Sequence, residues 1–205
     1  MSRQTARPPG TTDTVTIASA VIAGSLAAFW GITVTIIGVV GAVNTLTADA
    51  VTMPQPVSVD ITPGPSGSLQ ILEGSYRSAD IVVTGVTDVV RALLVSGMIL
   101  DVIMHLALVF GIIMLCVSLV RGRPFIPAMV RTLVFMAFAL VICGMLSSGL
   151  LGFANMEVAS ALDRPEFPIV AELDFTSALV GIALALVATA FKFGERLQRD
   201  TEGLI

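Results

Sequence analysis

Charged side chains and the residues that usually build reactive sites are scarce in this chain. Only 13% of its 205 residues are charged, and it has one histidine, two cysteines, one tryptophan and one tyrosine. A catalytic zinc ion normally takes three protein ligands, and nucleic-acid binding needs a basic face. Here 15 acidic residues outnumber 11 basic ones. We therefore expect no metal or other cofactor and no direct nucleic-acid binding.

The two cysteines, Cys116 and Cys143, lie in different apolar segments that meet at a turn. Measured along helices that start from this turn, Cys116 is about 8 Å away and Cys143 about 24 Å away. A disulfide requires Cα atoms within about 7 Å of each other. We therefore expect two free thiols.

Long apolar runs are what the chain has in abundance. Hydrophobic residues make up 55% of the sequence and the mean hydropathy is +0.94. Since about 20 apolar helical residues cross a hydrocarbon core of about 30 Å, four segments qualify: 15–43, 91–121, 127–153 and 174–194. The predicted fold is an all-α membrane protein, a four-transmembrane-helix bundle with a small β-containing extracytoplasmic insertion between helices 1 and 2.

A short basic turn, Arg121–Pro127, separates the second and third spans. Lys and Arg accumulate on the cytoplasmic side of membrane proteins. All but three of the 11 basic residues lie at this turn, just inside the third span, or near the termini; the exceptions are Arg77, Arg91 and Arg164. This distribution predicts that both termini are cytoplasmic, with 44–90 and 154–173 extracytoplasmic and 195–205 a cytosolic tail.

The N-terminal segment 1–14 contains Pro8-Pro9-Gly10 and predicts a disordered cytosolic tail. A cleaved signal peptide is the alternative, with Arg3 and Arg7 as its charged part. The apolar run that follows has about 27 residues, whereas a signal peptide has about 7 to 15. We favour a retained first span.

The insertion 44–90 has the residue pattern of strands. Apolar and polar residues alternate over 57–62, and 68–72 and 80–86 could form further strands. A sheet this small is marginal alone in water, so we expect it to rest on the membrane surface or on extended helix ends. A ligand-binding sensor is the alternative, although Tyr76 is its single aromatic residue.

Small residues recur on two predicted helix faces. Gly24, Gly31 and Gly38 recur every seven residues in the first span, and a similar face in the third span contains Gly144, Ser148 and Gly152. Such faces permit close helix contact. Packing within one chain is the interpretation we favour, and a homodimer seam is the alternative.

Asp101 and His105 form a candidate intramembrane polar pair on one face of the second span. Ionisable groups at such depth are functional candidates because burying them is costly. The plainer alternative, which we favour, has Asp101 reaching headgroup water and a neutral His105 satisfied by one backbone carbonyl. No motif brings a nucleophile to His105, so no catalytic residue is predicted.

Two sequence motifs resemble those of a known family. They are Arg121-Gly-Arg-Pro-Phe125 and the C-terminal pattern of Phe191, Gly194, Leu197, Asp200, Glu202, Gly203, Leu204 and Ile205. Together with the four-span layout, they resemble the small bacterial membrane proteins catalogued as domain of unknown function 2975. The resemblance implies a multi-pass protein of the bacterial plasma membrane and carries over no catalytic residue. Family members are often encoded beside small helix-turn-helix regulators, which implies a role in a regulatory system.

The cytoplasmic face is where we expect function to be exerted. Leu204 and Ile205 lie beyond Gly203, a residue type that commonly ends helices, so they suit docking into a groove of a soluble partner or onto the Arg121–Pro127 turn. The candidate partner or lipid contacts are Arg121, Arg123, Phe125, Leu197, Asp200, Glu202, Leu204 and Ile205.

The leading function is a non-enzymatic regulatory or partner-binding membrane protein. Its expected partners are the lipid bilayer, a cytosolic regulatory protein and a second copy of the chain. A small transporter or channel component is the alternative, and an intramembrane enzyme ranks below both.

Overall fold

The computed structural model describes residues 11–60, 65–66, 69–70, 75–121 and 126–202. The chain is mostly helical. Its helices are α1 (Thr11–Thr47), α2 (Asp88–Val120), α3 (Pro127–Leu162) and α4 (Thr176–Glu202). Its strands are β1 (Ala50–Asp60), β2 (Pro65–Ser66), β3 (Leu69–Gln70) and β4 (Ser75–Thr84).

Among the described residues, 4 helices are long and apolar enough to cross a membrane. These segments are Ile17–Thr47, Asp88–Val120, Pro127–Leu162 and Thr176–Leu197. They have mean hydropathies of 1.8 to 2.7. The prediction of four long apolar helices is confirmed as regards their length and their composition.

All four helices extend beyond the predicted spans at one end or at both. Residues 11–14 are helical although we expected a disordered tail there; threonine and aspartate in this stretch are typical of helix starts. Helix α3 passes the predicted end of its span at Phe153 and continues to Leu162. Proline and glycine are both absent from 154–162, so nothing in this segment interrupts the helix.

Strand β1 pairs antiparallel with β4 in a two-stranded sheet, from Ala50 opposite Thr84 to Asp60 opposite Ser75. The strand contains Pro54 and Pro56, whose nitrogens cannot donate hydrogen bonds. Being two residues apart, they lie on the same edge of the strand, and a strand paired on one edge tolerates them on the other.

Buried and exposed residues already alternate in β1 from Val51, earlier than the alternating stretch 57–62 identified in the sequence. Val51, Met53 and Gln55 form its buried face. Of the apolar residues in the alternating stretch 57–62, Val57 is buried, whereas Val59 is 38% exposed. The register shifts between Pro56 and Val59, and a bulge of this kind changes which side chains face the core.

The chain contacts divide the protein into two units. One comprises Met1–Thr35, Met104–Val141 and Ala178–Ile205, and the other Ile36–Ile103 and Ile142–Ser177. We call them the first and the second unit.

The core of the second unit joins the sheet to helix ends. Val51 and Met53 of β1 pack with Val90 of α2 and with Ala154 and Val158 of α3. The sheet therefore rests on extended helix ends, one of the two supports expected from its small size. Gln55 adds a polar tie, because its Nε2 donates to the Asn155 carbonyl at 2.9 Å.

The core of the first unit lies between α3 and α4. Met129, Leu133 and Met136 pack with Ala188 of α4. Helix α4 approaches α3 closely at Gly181, since a Cβ placed there would lie 2.8 Å from the Ala137 carbonyl oxygen. This contact depends on the absence of a side chain at Gly181.

The predicted small-residue face of α1 contacts α2 of the same chain. In the first unit Gly24 lies beside Cys116 and Gly31 beside Val109; in the second unit Gly38 lies beside Val102. These contacts accord with the interpretation of packing within one chain.

Arg91, near the start of α2, binds the end of α1 in the second unit. Its guanidinium donates to the carbonyls of Thr45 and Ala48, the latter at 2.9 Å. The last turn of α1 carries no basic residue of its own. Because the final carbonyls of a helix lack partners within it, Arg91 acts as a cap supplied by a neighbouring helix.

Asp174 caps the start of α4. Its Oδ1 accepts a hydrogen bond from the Thr176 amide at 2.8 Å. Hydrogen bonding from the Thr176 side chain and backbone lowers the pKa of this carboxyl. The ionised form is therefore the one that holds the first turn of α4.

Candidate functional site

The candidate contacts at the basic turn are described in part. Arg121 directly follows α2, its amide donates to the Val117 carbonyl at 3.1 Å, and its side chain is exposed. Arg123 and Phe125 lie outside the described residues.

The candidate contacts at the C-terminus are also described in part. Leu197 is 68% exposed on α4 and is the last residue of the segment Thr176–Leu197 that is apolar enough to cross a membrane. Asp200 and Glu202 belong to α4, but their side chains are not among those described. Leu204 and Ile205 lie outside the described residues, so docking of the terminus onto the turn stays a prediction.

Helix α4 changes character near its end. Phe191 packs against the core of the first unit, whereas Phe193 is exposed, as are Lys192 and Arg196. The helix nevertheless continues to Glu202. A regular helix thus presents an exposed leucine among charged side chains.

The intramembrane candidates Asp101 and His105 are both half-buried on α2. The His105 ring lies 6.3 Å from the Trp30 ring, centroid to centroid, at an interplanar angle of 50°. Tilted aromatic pairs at this separation are favourable. His105 therefore has a packing contact in the first unit, and the choice between a functional pair and a satisfied histidine stays a prediction. The contact spans two helices, and no local pattern in the sequence indicates it.

Within the described residues, no group of three or more His, Cys, Asp or Glu side chains could hold a metal ion. Cys116 is buried, Cys143 is half-buried and both are free thiols.

The open cavities on the described surface include these two. One, of about 480 Å³, runs between α1 and α2 in the first unit and has Arg121 at one end. The other, of about 360 Å³, lies in the second unit, where Val57 and Tyr76 of the sheet face the loop residues Arg164 and Phe167. Sequence reasoning indicated neither cavity, because each is formed by segments far apart in the chain.

The fold and these surfaces are compatible with an integral membrane protein. No protein-family model, curated protein or solved structure matches the chain.

Proposed function

We propose that this chain is a multi-pass protein of the bacterial plasma membrane that binds a regulatory partner at its cytoplasmic face and catalyses no reaction. The four apolar helices support membrane insertion. In the most apolar window of α1 only 6% of the residues are buried within the protein. Exposed apolar surface on this scale is unusual for a soluble monomer, and lipid would cover it. The resemblance to domain of unknown function 2975 belongs to the same proposal.

The charge distribution supports an orientation with the basic turn at 121–127 and both termini toward the cytoplasm. The described basic side chains near this turn and near the C-terminus include Arg121, Arg131, Lys192 and Arg196, all exposed. The segments 44–90 and 154–173 are predominantly acidic, with Arg77 and Arg164 as their basic residues. Positive charge facing the cytoplasm is the usual arrangement, so the sheet would be extracytoplasmic.

Cysteine labelling tests this orientation. A membrane-impermeant thiol reagent should label Ser66→Cys in intact cells and leave Arg123→Cys unlabelled, because only the first would face outward. Both variants should react after permeabilisation, which controls for the accessibility of each thiol. Labelling of Arg123→Cys alone in intact cells would reverse the proposed topology.

The exposure of Leu197, at the end of the apolar segment of α4, is the observation that carries the partner-binding proposal. Leu197 is 68% exposed on a helix that continues beyond the apolar segment to Glu202. Apolar anchors on a charged helix are typical of helix-in-groove recognition. A cytosolic regulatory protein is the partner class we propose, and Leu204 and Ile205 would extend the same contact. A homodimer through the small-residue faces is a separate arrangement that this proposal does not need.

Deleting Thr201–Ile205 tests where the partner binds. We expect membrane insertion and expression at the wild-type level, together with loss of the regulatory phenotype and of the protein that copurifies with the full chain. A paired substitution, Leu204→Ser with Ile205→Ser, should reproduce the loss, whereas Thr201→Ser should not. Wild-type behaviour of the truncated chain in both assays would rule out the terminus as the binding element.

A further inference from the structure

The groove between α1 and α2 has two different walls. On α1 it is lined by the small residues Ala20, Gly24 and Ala28, which recur every four residues and therefore share a face, together with Val21 and Ser25. On α2 the lining is apolar and runs from Ile113 to Val120. All of these residues belong to the first unit.

The floor of the groove is a close contact between the helices. A Cβ at Gly24 would lie 3.7 Å from the Cβ of Cys116, which is ordinary van der Waals contact. The α1 wall from Ala20 to Ala28 rises about 12 Å along the helix.

The lining of the groove suits a linear apolar chain. The groove is open, has a volume of about 480 Å³ and is lined mainly by apolar side chains of both helices. Burying a polar group costs free energy unless it is hydrogen-bonded, and a hydrocarbon chain has no polar groups.

One end of the groove carries a positive charge. Arg121 lines it there and is exposed. In the proposed orientation this arginine lies at the cytoplasmic surface. The groove then extends inward by about 12 Å. One leaflet contributes about 15 Å to a hydrocarbon core of about 30 Å, so the two lengths are similar.

We propose that this groove binds one acyl chain of an anionic phospholipid of the cytoplasmic leaflet, with the lipid phosphate on Arg121. The guanidinium supplies donors and charge for the phosphate, and the apolar walls bury the chain. This inference rests on the proposed membrane insertion and orientation.

Lipid retention by the full chain provides the test. The protein is reconstituted in nanodiscs of phosphatidylglycerol and phosphatidylcholine at equal amounts, released in the mass spectrometer, and its retained lipids are counted. We expect one phosphatidylglycerol to be retained with about fivefold preference, since one arginine near an anionic surface contributes about 1 kcal/mol. Arg121→Gln should abolish the preference, and Arg131→Gln, an exposed arginine on α3 outside the groove, should keep it.

A second pair of variants tests the groove itself. Ala28→Leu fills it and should remove the retained lipid, whereas Ala23→Leu, exposed on the same helix but not lining the groove, should leave it in place. Circular dichroism of each variant confirms that it is folded. Equal retention by wild type, Arg121→Gln and Ala28→Leu overturns the proposal.

Two further outcomes identify the cause of a failure. Disulfide-linked dimers of Ser25→Cys would show that a second copy occupies the groove, which also overturns the lipid proposal. Carbonate extraction distinguishes a failure of the proposed membrane insertion from a failure of the lipid proposal alone. A chain that is extracted from membranes contradicts the proposed function as well, whereas an embedded chain without lipid preference contradicts the groove alone.

Discussion

Replacing Arg91 with methionine is expected to lower the melting temperature of the detergent-solubilised protein by about 5 to 15 °C. The side chain donates to the Thr45 and Ala48 carbonyls at the end of α1. Hydrogen bonds from charged donors contribute about 1.5 to 3 kcal/mol each, so we expect a total loss of about 2 to 4 kcal/mol after allowing for partial solvent access. For a chain of this size, each kcal/mol shifts the melting temperature by about 2 to 4 °C.

Two companion variants define what the Arg91 experiment measures. Arg77→Met removes an exposed arginine from β4 and should change the melting temperature little. Arg91→Lys keeps the charge but loses the planar fork of donors, so it should recover part of the stability. Equal melting temperatures for Arg91→Met and Arg77→Met would mean that the cap contributes nothing measurable.

Introducing a single methyl group at Gly181 is expected to destabilise the first unit. A Cβ there would lie 2.7 Å from Val141 Cγ2 and 2.8 Å from the Ala137 carbonyl oxygen. The carbonyl belongs to the backbone of α3, so it cannot move aside without moving the helix. Overpacking of this kind costs about 1 to 3 kcal/mol, and Gly181→Ala should lower the melting temperature accordingly.

Gly149→Ala is the matched comparison for Gly181→Ala. It also lies within an apolar helix, but a Cβ there would meet no atom within 4 Å. Alanine is favoured over glycine inside a helix by about 0.8 to 1 kcal/mol, so this variant should be slightly stabilised. The two substitutions are chemically identical, and shifts of the same sign would contradict the assigned α3–α4 contact.

The helices could be predicted because their signal is local. Each apolar segment is longer than a bilayer requires, and no proline interrupts any of them. The glycine spacing of α1 similarly predicted a face of close contact, which α2 occupies at Gly31 and Gly38. Such patterns depend on the helical repeat alone.

The extent of β1 could not be predicted because the relevant signals conflict. Pro54 and Pro56 argue against a strand in local terms, yet β1 includes both. They are accommodated because the strand pairs with β4 along one edge in a two-stranded sheet. The buried face at Val51 and Met53 exists because α2 and α3 cover it.

Parts of the candidate site were equally beyond local reasoning. The sequence indicated that His105 needed a neighbour, but the Trp30 ring comes from a distant helix. The sequence distinguished Arg91 only as one of three basic residues away from the turn and the termini, whereas in the structure it binds carbonyls at the end of α1. The groove beside Arg121 depends on the separation of two helices, which no residue spacing encodes.

What the sequence by itself determined is the class of structure: four apolar helices, a small strand-rich insertion and an uneven distribution of positive charge. Composition and periodicity suffice to predict these features because both reflect whether the side chains of a segment face an apolar or an aqueous environment. The tertiary structure decided which residues act together, namely Arg91 with the end of α1, Trp30 with His105, and Gly181 with the α3 backbone. These contacts join residues far apart in the chain, and helix packing determines which of them form.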